Sequence, residues 1–215
     1  MTHNSINTVI FDLGGVLLNL DYTLTIQAFE NLGLPNAKNL FSQKAQNHIF
    51  DNFETGKIAS TEFRKEIKSL INGPVSDQQI DAAWNTMLLD FPTDRFEFLQ
   101  QVSQTHRIFL LSNTNAIHMA WFKNYIDKRF GENIFFDLFE VAYLSNEMGM
   151  RKPHQEIFDF VVNENNLDTK STLFIDDSAQ HLIGATAAGL QTVWLEPGME
   201  TIGVLKTLIY ANKPK

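Results

Sequence analysis

Five short runs of apolar residues, each ending on polar ones, set the terms for this chain: "TVIFD" (8–12), "RIFLLSN" (107–113), "FEVAYLS" (139–145), "STLFIDD" (171–177) and "QTVWLE" (191–196). Most of them carry their apolar residues side by side rather than alternately, as strands buried on both faces do. Helical patterns lie between the later runs. Ile157, Phe158, Val161 and Val162 recur at helical spacing, and the stretch 178–190 opens on Ser178 as a cap and closes on Gly189. Strands separated by helices require right-handed crossovers. The expected fold is therefore α/β, a Rossmann-type parallel sheet flanked by helices.

Residues 18–89 break that rhythm. They contain helix-like segments near 22–32, 36–47, 61–72 and 77–89 and no strand pattern. Asp21 is placed to cap the first segment, and Ser76 with Gln79 forms a capping box for the fourth. The expected organisation is a catalytic α/β core from 1–17 and 90–215, with an all-helical cap, 18–89, inserted between the first two strands. A chain of 215 residues has room for one such core and a small accessory unit.

Composition narrows the partners. A net charge of −8, from 17 basic and 25 acidic residues, argues against nucleic acid, whose backbone is held by clustered Lys and Arg. It leaves room for a small phosphate compound, which needs only one or two local cations. The absence of cysteine excludes disulfides, thiolate metal sites and cysteine nucleophiles. The six histidines show no H-x-x-x-H spacing, which argues against a histidine zinc site. With no leader-like start and no apolar window near about 18 residues, the expectation is a cytoplasmic protein with no membrane partner. It is expected as a monomer or weak homodimer.

Functional groups of an open parallel sheet gather at the carboxyl ends of its strands. Here the first strand ends in Asp12, the second in Ser112-Asn113-Thr114, and the fourth in Asp176-Asp177. The loop after the third runs into Arg151-Lys152-Pro153. Three carboxylates brought together repel one another and take up protons in a dry site. A hard divalent cation resolves that conflict, and all-oxygen ligation suits Mg²⁺. Lys152 and the Ser112 hydroxyl then remain to hold an anion. A metal, a nucleophilic carboxylate and a phosphate clamp together describe phosphoryl transfer through an aspartyl-phosphate.

The segments "FDLGGVL", "LLSNTN", "RKPHQEIF" and "FIDDS", in that order, resemble the four motifs of the haloacid dehalogenase (HAD) superfamily, and the inserted segment resembles its C1-type cap. The resemblance implies a role for each residue. Asp12 would be the nucleophile and a metal ligand, with the backbone carbonyl of Gly14 as a second ligand. Ser112 and the amide of Asn113 would hold phosphoryl oxygens. Lys152 would offset charge on Asp12 and the phosphate, and Asp177, with Asp176 beside it, would complete the Mg²⁺ site.

One position departs from the family's pattern. HAD phosphatases usually carry a second aspartate two residues after the nucleophile, as general acid and base, and here that residue is Gly14. General acid catalysis is worth about 10²–10⁴-fold, so its loss favours leaving groups that need little protonation. A subgroup with the same glycine includes phosphatases of hexose 1-phosphates, whose anomeric hydroxyl leaves readily. Three rival readings exist. A haloacid dehalogenase dispenses with the metal that the acid pair suggests. A receiver domain places its acid pair before the phosphorylated aspartate, not last. A non-catalytic phosphate-binding pseudo-phosphatase would explain Gly14 but not the rest of the motif set. His118, Trp121 and Phe122 read as packing, and Arg151 reads as solvent-facing.

Overall fold

In strand β1 (Thr8–Phe11), Val9 and Phe11 face one side of the sheet and Ile10 faces the other, and this alternation builds two cores. The computed structural model describes residues 5–42, 45–46, 48–196, 198–199 and 201–210. After β1 come α1 (Tyr22–Asn31), α2 (Ala37–Leu40), β2 (Phe41–Ser42), β3 (Ala45–Gln46), α3 (His48–Glu54), α4 (Ser60–Leu70) and α5 (Asp77–Asn85). There follow α6 (Thr93–Ser103), β4 (Arg107–Ser112), α7 (Ala116–Phe130), β5 (Val141–Leu144), α8 (Ser145–Met148) and α9 (Gln155–Glu164). The chain continues with β6 (Thr172–Asp176), α10 (Ala179–Ala187), β7 (Gln191–Trp194) and α11 (Thr201–Tyr210). The main sheet is parallel, in the order β5-β4-β1-β6-β7, so β1 lies at its centre.

On one face Val9, Phe11, Leu110 and Ile175 pack under Phe98 and Leu99 of α6, Phe122 of α7 and Leu205 of α11. On the other, Ile10, Phe109 and Phe174 pack under Ile157, Phe158 and Val161 of α9. The inner strands β1, β4 and β6 are thus buried from both sides, as consecutive apolar runs require, whereas the edge strands β5 and β7 are partly exposed. No helix among the described residues is long and apolar enough to cross a membrane.

The segment between β1 and β4 folds around its own core of Phe29, Phe50, Phe53, Phe63, Ile67 and Trp84. Burying side chains of this size is worth roughly 1.5–3 kcal/mol each, enough to make the insertion a packed unit. Asp21 caps α1 by accepting from the Thr23 amide at 2.9 Å, and both bonds of the Ser76–Gln79 capping box form. The insertion is not all-helical, however. Where a helix is expected over 36–47, α2 stops at Leu40, and β2 and β3 pair as a two-residue antiparallel ribbon. Positions 43, 44 and 47 of that expectation lie outside the described residues. Asn36 stands at φ 54°, a left-handed backbone that a continuous right-handed helix over 36–47 does not contain.

Candidate active site at the carboxyl edge of the sheet

The register of β1 against β6 pairs Phe11 with Ile175, so the next residues, Asp12 and Asp176, come abreast at the strand ends. Lys152 enters between them. Its fully buried Nζ lies 2.9 Å from Asp12 Oδ1 and 2.6 Å from Asp176 Oδ2. Burial works against the lysine's charge, but the two carboxylates more than offset it, and its pKa rises. The same burial acts on both acids with different results. On Asp176 the Lys152 ammonium and the His181 ring outweigh it and hold the carboxyl down at about 2. Asp12 is pushed well above the usual range by burial, drawn back by Lys152, and pushed up again by Asp176 and Asp177. Asp12 Oδ1 also accepts from the Leu13 amide at 2.7 Å.

Asp176 is fully engaged. Besides Lys152 it accepts from the Ser178 amide at 2.8 Å and from His181 Nδ1 at 2.9 Å. Ser178 is the N-cap of α10 as expected, but its own side chain makes no capping bond; its amide donates to Asp176 and its carbonyl accepts from the His181 amide. Asp12, Asp176 and His181 bring potential ligand atoms within 4.8 Å of one another. Within that trio Asp176 is bonded to both Lys152 and His181, and Lys152 bridges it to Asp12. Burial and the charge on Asp176 push Asp177 up to about 6.

The second glycine after Asp12 makes room for that acid. A Cβ on Gly15 would overlap Asp177 Oδ2, and Gly15 has φ 72°, a left-handed backbone that suits glycine. A Cβ on Gly14 would meet only the end of the Leu20 side chain. Three carboxylates gather here against the ammonium of Lys152. Such a set fits a hard divalent cation.

Ser112 and Thr114 are buried at the end of β4 and open on the same cleft as Asp12 and Asp177. The Asn113 side chain clasps the lysine loop, donating to the Lys152 carbonyl and accepting from the Lys152 amide, both at 2.9 Å. Sequence reasoning gave Asn113 only a backbone role; its amide side chain also fixes where Lys152 stands. His181 was missed as well. The only signal for it was its place in the first turn of the helix after the acid pair.

Arg151 corrects an expectation. It does not face solvent: its side chain is 14% exposed and pairs with Asp51 and, at 3.0 Å, with Glu54, both on α3. Those partners lie about a hundred residues away in sequence, so no local pattern announced them. In the inserted segment Arg64 pairs with Asp81, while Asp51 pairs with Arg151 outside it.

Comparison with known proteins agrees with this geometry. A family model described as haloacid dehalogenase-like hydrolase matches residues 6–189. The chain belongs to that family of hydrolases, and its sheet and flanking helices are the HAD-like fold. It is 29% identical over 195 residues to D-ribitol-5-phosphate phosphatase of Bacteroides thetaiotaomicron, covering 91% of this chain and 94% of the relative. A HAD family enzyme from the same organism was solved as an aspartate-to-alanine variant with magnesium and inorganic phosphate. It superposes with a TM-score of 0.88 at 37% identity, over 94% of this chain and 99% of that one. A HAD-like family hydrolase from Porphyromonas gingivalis superposes at 0.86 with 25% identity, over 98% and 100%.

Proposed function

We propose that this protein is a cytoplasmic, Mg²⁺-dependent phosphatase of small phosphorylated metabolites, sugar and polyol phosphates in particular. The observation that carries the proposal is the buried Lys152 clamped between Asp12 and Asp176, with Asp12, Asp177 and Ser112 lining a cleft of about 110 Å³ that the insertion also lines. Residues 18–89 serve as the cap and 1–17 with 90–215 as the catalytic core. Asp12, the Gly14 carbonyl and Asp177 would hold Mg²⁺, which supplies charge for the phosphoryl oxygens and favours the ionised form of Asp12.

Asp12 attacks phosphorus, the bond from phosphorus to the substrate oxygen breaks, and an aspartyl-phosphate forms. Water then cleaves that acyl-phosphate, releasing inorganic phosphate and restoring Asp12. Lys152 offsets negative charge on Asp12 and the phosphoryl group, while Ser112 Oγ and the Asn113 amide hold its oxygens. Asp176 and Asn113 keep Lys152 in place, by its ammonium and its backbone respectively.

Gly14 offers no proton to the departing alcohol. That favours hexose 1-phosphates, whose anomeric oxygen leaves easily, whereas the curated relative is named for a primary-alcohol phosphate. Comparing kcat/KM on a hexose 1-phosphate with that on D-ribitol 5-phosphate decides between them; faster release of the primary alcohol refutes the leaving-group argument. The central test is Asp12→Asn, expected to fold normally and lose turnover. A variant that still turns over removes Asp12 from the nucleophile's place.

A further inference from the structure

Most of the cleft wall away from the strand ends is apolar, built from residues such as Leu20, Trp84, Met87 and Leu88. Among the few polar side chains there, Glu54 and Arg151 pair with each other. His118 is different. Its ring stacks on Trp84, with centroids 4.6 Å apart and planes 20° apart, and its Nδ1 lies 2.9 Å from Asn85 Oδ1. Burial pushes the imidazole down to about 3, so it is neutral and carries one proton. With an amide oxygen facing Nδ1, that proton sits on Nδ1. Nε2 is left as a lone-pair acceptor, and no donor among the described residues reaches it.

The ring is also held from several sides. Trp84 donates from Nε1 to Asn115 Oδ1 at 3.3 Å, and the same oxygen caps α7 by accepting from the amides of Ile117 and His118. Stacked on Trp84 and hydrogen-bonded to Asn85, the imidazole cannot turn away without breaking contacts that join α5 to α7. A fixed, neutral acceptor in a mainly apolar wall discriminates between ligands. A hydroxyl satisfies it, whereas an alkyl group leaves a desolvated lone pair unpaired.

We infer that His118 is a specificity-determining residue whose Nε2 accepts a hydrogen bond from a substrate hydroxyl, selecting polyhydroxylated phosphate esters over alkyl ones of equal length. The inference rests on the phosphatase reading and adds to it the class of the leaving group. The test compares D-ribitol 5-phosphate with pentyl phosphate, which differ in their hydroxyls, and uses p-nitrophenyl phosphate as a control that carries none.

Wild type is expected to prefer the ribitol ester in kcat/KM by about 10- to 100-fold, the worth of one buried hydrogen bond. His118→Phe should erase most of that preference while leaving p-nitrophenyl phosphate turnover intact. His118→Gln, which can present an amide oxygen where Nε2 stood, should restore part of it. Equal losses on all three compounds, or a preference that survives His118→Phe, overturn the inference. Calorimetric titration of both five-carbon esters in Mg²⁺ buffer separates the two readings. Absence of turnover on every ester defeats the phosphatase reading. The His118 inference stands only if wild type binds the ribitol ester more tightly and His118→Phe does not; equal binding, or none, overturns it.

Discussion

A methyl group at Gly15 would overlap the Asp177 carboxylate and would sit on a backbone with φ 72°. Gly14, two residues after Asp12, carries neither constraint beyond the end of Leu20. The two glycines of "FDLGGVL" therefore predict different outcomes. Gly15→Ala should weaken Mg²⁺ binding by about 10- to 100-fold, as displaced metal-site groups do, and Gly14→Ala should retain most of it. Mg²⁺ titrations of activity compare them; equal losses would remove Asp177 from the metal site. His118 yields a prediction about pH. Its folded pKa of about 3 lies below the ordinary 6.5, so between those values the unfolded chain binds the proton and the folded one does not. Stability from this group is present above pH 6.5 and is lost as pH falls toward 3, by up to about 1.4 kcal/mol per unit. Denaturant unfolding from pH 7 to pH 4 should show a shallower decline for His118→Gln than for wild type. Parallel curves would mean that His118 titrates normally.

Among the elements, the strand ends were legible and the contacts of the insertion were not. Parallel register sets residues at successive strand ends side by side, so a reading of which polar residues terminate apolar runs also brought Asp12, Ser112 and Asp176 to one edge of the sheet, with Lys152 reaching it from the loop after α8. Nothing comparable indexes α3 against the loop after α8. Asp51 and Glu54 look like ordinary helix acids, and Arg151 like an ordinary loop cation, until the fold brings them together. The ribbon β2–β3 was unreadable for a related reason, since two-residue strands are too short to show a period. The Arg151–Glu54 pair is mostly buried, with side chains 14% and 12% exposed, so removing Arg151 takes this cation from the Glu54 carboxylate, whereas Arg151 keeps Asp51 when Glu54 is changed. A double-mutant cycle of Arg151→Met and Glu54→Gln should give a coupling of about 1 kcal/mol or more in unfolding free energy. The single Arg151→Met variant should also raise KM, because the pair joins α3 to the core beside the cleft. A coupling near zero would reduce the pair to a surface contact.

At the scale of the molecule, two cores flank the sheet and a third fills the insertion, and the candidate site lies where sheet and insertion meet. Asp12, Asp176 and Asp177 concentrate negative charge at that junction, with Lys152 as the ammonium in contact with it. A cation that binds only the folded arrangement stabilises the whole chain by mass action, by about 2.7 kcal/mol at a hundred times its Kd. For a domain of this size each kcal/mol raises Tm by about 2–4 °C. Saturating Mg²⁺ should therefore raise Tm by about 5–10 °C, and EDTA should reverse the shift and abolish turnover together. Asp177→Asn should remove the shift, whereas a charge change at exposed Glu97, in the middle of α6, should leave it intact. The joint behaviour of the two readouts is what discriminates. A dehalogenase of the same fold needs no metal, so activity that persists in EDTA, with a Tm indifferent to Mg²⁺, would transfer the Asp12 nucleophile to carbon–halogen chemistry. Loss of activity without any thermal response would instead mean that the cation arrives with the substrate and is not held by the protein's own carboxylates.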